Sequence, residues 1–308
     1  MLKLLATFRA CFSLYRKKAD EKQKAEVDGL TNAELVRFDF ATIKLVTADF
    51  SVSNKIGEGK FGVVYKGTLK SGKEIAIKRL SCNIDAEVFM NWFSVVARLQ
   101  HPNLVKHLGF CSEGNKYMLV SEFMPNANPS KRVQLNWETW YKIILGVAKG
   151  LEYLHQDGVL HTGLKTSNVL LDEDMNPKIV DYAISWFCRK SAQLGNACAH
   201  SAPEYCSAGE YSNESDVYCF GILILEALSN LRVGESYQSL TDFHQQVLKI
   251  REEGRLSQLI KPELSVKCPE ADVITCIHIG SLCVARDKTL RPTMTDVILM
   301  LTSDLASR

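Results

Sequence analysis

Apolar residues alternate with polar ones over two early stretches, Lys55 to Gly67 and Glu74 to Arg79, with the polar run Lys70-Ser71-Gly72-Lys73 between them. A period of two sends successive side chains to opposite faces of a strand, and a short polar link containing glycine turns one strand back on the next. Leu104 to Phe110 and Tyr117 to Phe123 are further strand candidates, joined through Ser112-Glu113-Gly114-Asn115. Helical spacing predicts helices over Phe40 to Phe50, before a turn at Ser51 to Asn54, and over Ala86 to Leu99, ended by His101-Pro102-Asn103. Beyond Leu135 the helical period takes over, at Trp137 to Gln156, Glu214 to Leu228, Leu240 to Glu253 and Asp272 to Arg286. The fold class predicted is α+β and bilobal: a small lobe of five antiparallel strands with one helix, then a larger helical lobe. No internal repeat or low-complexity tract interrupts this order.

Composition narrows the class. At 308 residues and 46% apolar content the chain can bury a large core as one domain or two lobes. A net charge of +2 gives no reason to expect nucleic acid as a partner. Ten cysteines stand singly, with no C-x-x-C pair and no zinc spacing, so they read as reduced thiols of a cytosolic protein. No apolar run is long enough to span a bilayer. Residues 1–35 form a separate tail: Leu2, Leu4, Leu5, Phe8 and Phe12 are interrupted by Lys3 and Arg9, then followed by Arg16, Lys17 and Lys18. A secretory signal is excluded by those charges, and myristoylation by the absence of glycine at position 2. Two readings stay open, a loose tail or a membrane-surface anchor through residues 1–18 aided by acylation of Cys11.

Three motifs carry the chemistry. Gly57-Glu58-Gly59-Lys60-Phe61-Gly62-Val63-Val64 is a G-x-G-x-x-G-x-V string. The same glycines serve dinucleotide folds, but there a helix opens inside the motif, whereas Phe61 to Lys66 is β-branched and aromatic. Ile75-Ala76-Ile77-Lys78 follows, with a lysine in a strand where its ammonium can reach phosphates. His161-Thr162-Gly163-Leu164-Lys165-Thr166-Ser167-Asn168 fits the spacing of the catalytic loop H-R-D-L-x-x-x-N, with Thr162 for the arginine and Gly163 for the aspartate. That aspartate receives the proton of the substrate hydroxyl, which glycine cannot do.

With these residues the chain resembles the plant receptor-like protein kinases, nearest the cysteine-rich receptor-like group. The similarity is also carried by Phe38 to Ile43, Leu99-Gln100-His101, Ala202-Pro203-Glu204-Tyr205, Ser215-Asp216-Val217-Tyr218, Cys276 to Gly280 and Arg291-Pro292-Thr293-Met294. The resemblance implies a kinase N-lobe over 36–124, a C-lobe over 125–303 and a short tail, 304–308, in a cytoplasmic form at or away from the inner face of the plasma membrane. It implies ATP and Mg2+ as ligands. The nucleotide would lie on Ile56, Gly57, Gly59, Gly62, Val64, Ala76, Lys78, Glu122, Met124 and Leu170, and the metal on Asn168 and Asp181, with Lys165 near the γ-phosphate. Asp216 is expected to anchor the catalytic-loop backbone, and Glu204 to pair with Arg291.

The departures from the family gather on chemistry. The helix glutamate that should pair with Lys78 falls on Trp92, and the tyrosine expected at the gatekeeper position falls on Ser121. Trp92 either swings into the volume left at Ser121, plugging the back of the nucleotide site, or stays a partly exposed helix residue. The metal motif reads Asp181-Tyr182-Ala183, where alanine narrows the positive-φ range that glycine allows. The segment Asp181 to Glu204 is short, and a helix that should follow Met124 to Ser130 is largely missing. No intact catalytic residue is expected at Gly163, Thr162 and Trp92. Three functions stay open: a pseudokinase that binds other kinases or receptor complexes, a weak Ser/Thr kinase using Lys78, Asn168 and Asp181, and a decayed gene copy. A neighbouring acid such as Asp172 or Glu173 standing in for the lost aspartate would undo the first.

Overall fold

The computed structural model describes residues 35–81, 85–129, 135–184, 201–209, 211–229, 237–261, 264 and 268–306. The tail with Cys11, most of the segment between Asp181 and Glu204, and the stretch after Pro129 therefore lie outside the described residues. Two compact units divide the chain, one drawn from Met1–Gln100 and Val105–Phe123, the other from His101–Leu104, Met124–Ser185 and Gln193–Arg308.

The first unit is built on β1 (Val36–Arg37), β2 (Lys55–Gly59), β3 (Gly62–Thr68), β4 (Glu74–Leu80), β5 (His107–Glu113) and β6 (Lys116–Glu122), with helices α1 (Phe40–Val46) and α2 (Ala86–Val96). The sheet order is β1-β5-β6-β4-β3-β2. The five expected strands are antiparallel neighbours, and β1 adds a sixth, parallel to β5, pairing Val36 with Gly109 and Arg37 with Phe110. Gly109 permits this close approach, since a Cβ there would lie 1.9 Å from the Val36 carbonyl oxygen. The expected helix to Phe50 ends early. Ala48, Asp49 and Phe50 all take left-handed φ, near 51°, 55° and 56°, and the Thr47 hydroxyl accepts from the Phe50 amide in place of a continuing turn.

Alternation along β4 and β6 sorts the two faces of this sheet. Ile75, Ile77, Met118 and Val120 join Phe38, Ile43, Leu108 and Cys111 in one apolar cluster on the α1 side. On the other face α2 supplies an aromatic group. Phe89 lies 4.8 Å from Tyr117, 6.0 Å from Phe93 and 6.1 Å from Trp92, and Phe93 lies 4.7 Å from Phe110, all between ring centroids. Burying each such side chain stabilises the unit by roughly 1.5–3 kcal/mol.

The second unit contains α3 (Trp137–Gln156), β7 (Val169–Leu171), β8 (Pro177–Ile179), α4 (Pro203–Ala208), α5 (Asn213–Leu228), α6 (Tyr237–Glu252), α7 (Glu270–Cys283) and α8 (Met294–Ala306). The bounds of α3 coincide with the predicted ones, because the Asn136 side chain caps the Thr139 amide at its start. The α5 helix is buried almost all round, which is why it reads as continuous apolar sequence. Tight backbone approach joins α5 to α7, where a Cβ on Gly221 would stand 2.8 Å from the Gly280 carbonyl oxygen. Among the described residues no helix is long and apolar enough to cross a membrane.

Candidate functional site

Within the first unit the sheet register brings the expected nucleotide residues together. Gly57 pairs with Val64, Val64 with Lys78, Lys66 with Ala76, and Ala76 with Ser121. Val64, Ala76, Lys78 and Ser121 therefore share one face of the sheet, the face that Tyr117 presents to α2. Ile56 is half exposed on β2. The three glycines are not equivalent. A Cβ on Gly62, at φ 147°, would lie 2.0 Å from the Arg79 carbonyl oxygen, so the fold itself requires glycine there. A Cβ on Gly59 would meet nothing within 4 Å, and one on Gly57 only the Val64 side chain at 3.8 Å. The protein's own packing does not demand glycine at those two positions, and they leave the strand edge open for a ligand's approach.

Glu122 closes β6. Its carboxylate accepts from the Lys106 amide at 2.8 Å, and its own amide donates to the Lys106 carbonyl at 3.0 Å. The Ser121 hydroxyl lies 3.0 Å from His107 Nδ1, directly across the strand pair. No local pattern marks His107, which pairs with Ser121 across a bulge in β5, and sequence reasoning missed it. Trp92 is only 5% exposed, packed beside Phe89. This corrects the reading of Trp92 as a partly exposed residue: it is a buried member of the aromatic group on α2.

In the second unit the loop at residues 161–165 hangs on one carboxylate. Asp216, on α5 and almost wholly buried, accepts from the His161 amide at 2.7 Å and the Thr162 amide at 2.9 Å, with His155 Nε2 at 3.2 Å. The anchoring role expected of Asp216 is thus seen directly, and His155 is a partner the sequence did not mark. Thr162 is held at φ 66°, an unfavourable region for a β-branched residue, and its hydroxyl donates to the His161 carbonyl at 2.6 Å. His161 is fully buried. Burial drives its imidazole below the ordinary range, against the pull of Asp216 and Asp181, and keeps it neutral.

Asn168 donates through Nδ2 to the Gly163 carbonyl at 2.9 Å, and its own carbonyl accepts from the Val180 amide at 2.9 Å. One residue thereby ties the strand leading to Asp181 to the floor where Gly163 lies. Lys165 is exposed, Leu170 is half-buried on β7, and Met124 is buried at the start of this unit. Asp181 and Ala183 both have left-handed φ, 63° and 59°, on either side of the buried Tyr182. Alanine thus sits inside the left-handed range that it narrows relative to glycine, and its amide donates to the His161 carbonyl at 3.2 Å.

Asp172 is not a substitute base. Its Oδ1 accepts from the amides of Asp174 and Asn176, and its Oδ2 from the Asn176 side chain, all within 3.0 Å, so it is consumed by the turn between β7 and β8. Glu204 and Arg291 form the expected pair, bidentate at 2.7 and 2.8 Å. Arg291 also donates to the carbonyls of Ala285 and Glu214, and its guanidinium lies over the Tyr218 ring. Burial alone would raise the Glu204 carboxyl, but its hydrogen bonds and charge pairing with Arg291 outweigh this and hold it below the ordinary range. Cys276 and Cys283 are pushed up by burial to about 12, and Cys111 to about 11, so these are inert thiols. Among the described residues no group of three or more His, Cys, Asp or Glu side chains forms a metal cluster.

Comparison with known proteins agrees with this geometry. The family described as protein tyrosine and serine/threonine kinase matches residues 50–301. Cysteine-rich receptor-like protein kinase 10 of Arabidopsis thaliana is 42% identical over 90% of this chain and 44% of its own length, and the related kinase 6 is 41% identical over 96% and 47%. The chain thus spans less than half the length of these relatives. A solved structure, the pseudokinase domain of BIR2, an immune regulator of the RLK/Pelle family, superposes with a TM-score of 0.76 at 27% identity, covering 91% of this chain and 90% of that one. With its glycine-turn hairpin, strand lysine and the loop hung from Asp216, the chain belongs to the protein tyrosine and serine/threonine kinase family and is a receptor-like protein kinase domain.

Proposed function

We propose that this chain is a pseudokinase, a binding and allosteric module in receptor-kinase signalling that keeps the means to hold ATP and magnesium but not to transfer phosphate. One observation carries the reading. The loop that should present the catalytic base is suspended intact by Asp216 and Asn168, yet it presents Gly163. Asp172, four residues beyond Asn168, is spent on a turn. Losing a positioned acid–base group costs about 10²–10⁴-fold. With Trp92 in place of the residue that should orient Lys78, the remaining activity falls further.

The residues present fit the nucleotide and the metal. Gly57 and Gly59 open onto space that phosphates require, and Lys78 shares a face with Val64 and Ala76. Asn168 uses its amide nitrogen on Gly163, which leaves its oxygen, with the Asp181 carboxylate, as hard donors suited to Mg2+. When bound, the metal would neutralise phosphate charge; this chain's residues would bind and orient the nucleotide, with no side chain at Gly163 to take a hydroxyl proton. The similarity to a pseudokinase domain supports the same reading. The partner would be an active kinase or a receptor complex, met at the cytoplasmic side through the helical lobe or α2.

The test is phosphate incorporation by purified protein beside an Asp181→Ala control, with expected parity between the two. Incorporation that the control abolishes would overturn the proposal and make the chain a weak Ser/Thr kinase. Thermal shift with ATP, with and without magnesium, reads nucleotide binding separately.

A further inference from the structure

The tip of the phosphate loop carries a feature that the nucleotide reading does not use. Lys60 and Phe61 form the two-residue turn between β2 and β3, and the turn is pinned on its far side. The Phe61 carbonyl accepts from the Ser81 amide at 3.1 Å, beyond the end of β4, and Gly62 lies so close to Arg79 that no side chain fits. Held by that backbone, the half-buried Phe61 ring lies 5.9 Å from the Lys78 ammonium, with the Lys60 ammonium also 5.9 Å from its centroid. Lys78 is the cation that the sheet register places beside Val64 and Ala76.

We propose that Phe61 is an aromatic cap on Lys78, a positioning residue that a phosphoryl ligand must displace to reach the ammonium. The ring's negative face attracts the cation, and its bulk screens it from approaching anions. Neither the Ser81 amide bond nor the packing at Gly62 depends on the Phe61 side chain, so the ring can swing aside while the turn stays in place. The consequence for a triphosphate rests on the nucleotide reading above; the cap itself does not.

The cap is tested on the full chain by competitive acetylation with trace acetic anhydride, with Lys78 quantified by peptide mass spectrometry against the exposed Lys70 in the same sample. Phe61→Ala should raise the Lys78-to-Lys70 labelling ratio by about two- to five-fold, the range expected for an exposed cation–π contact. Phe61→Leu, which keeps bulk without a ring face, should give an intermediate ratio and guards against a folding defect in the smaller variant. An unchanged ratio in both variants would overturn the cap. Titration with a fluorescent ATP analogue reads the second consequence, with Phe61→Ala expected to tighten binding by a similar factor. Binding weakened by Phe61→Ala would make the ring a support for the ligand and overturn its role as a barrier. If neither protein binds the analogue, the nucleotide reading fails and the labelling ratio alone decides the cap.

Discussion

Replacing Asp216 by alanine removes the acceptor of two buried backbone amides, His161 at 2.7 Å and Thr162 at 2.9 Å, and the partner of His155. Each buried donor left without an acceptor costs about 1–3 kcal/mol, so the two amides together account for about 2–6 kcal/mol. Part of this returns, because a freed loop can release Thr162 from its left-handed φ, worth about 1–2 kcal/mol. The net expectation is a loss centred on about 2–3 kcal/mol and reaching about 5, a large share of the roughly 5–15 kcal/mol that stabilises most domains. Asp216→Asn keeps one acceptor oxygen and should fall between alanine and the native protein. Guanidinium unfolding followed by far-UV circular dichroism reads the stability, and hydrogen exchange at the His161 and Thr162 amides localises the effect to the second unit. An Asp216→Ala midpoint indistinguishable from the native one, with both amides still protected, would refute the reasoning.

Three further outcomes follow from the same contacts. Ala183→Gly relieves a left-handed alanine and should stabilise the protein by about 0.5–1 kcal/mol after the added entropy of glycine in the unfolded chain, seen as a higher denaturation midpoint. Gly109→Ala would drive a Cβ into the Val36 carbonyl and expel β1, so limited proteolysis should newly cut near residues 36–38. Glu204 has a folded value below its unfolded one; its stabilising contribution is present above the ordinary carboxylate range and is lost as pH falls through the folded value. Unfolding midpoints measured from pH 6 down to about 3 should therefore drop more steeply for the native protein than for Glu204→Gln, which has no carboxyl to protonate.

Much of this was legible because it is local. The hairpin glycines, the strand lysine and the helical period of α3 all act within a few residues of themselves. What was missed is set at a distance. The β1 strand is two residues long and exists because Gly109, far along the chain, lets it approach. The end of α1 depends on a left-handed turn of three non-glycine residues, which residue type argues against. The α8 helix and the short α4 also went unrecognised, α4 because a turn and a half gives too little periodicity to read. At the site, the loss at Gly163 was plain from spacing, whereas the His107–Ser121 contact and the ring over Lys78 needed the sheet register to bring them together.

The parallel edge strand has a practical bearing on where this protein begins as a folding unit. The family match starts at residue 50, but Phe38 and Ile43 are already sealed into the cluster with Ile75, Ile77, Met118 and Val120. A fragment cut at that match would present those aliphatic side chains to water along a sheet border with unpaired amides, a surface prone to self-association. Fragments intended for partner capture should therefore start upstream of Val36, or adhesion at the cut edge will be mistaken for recognition.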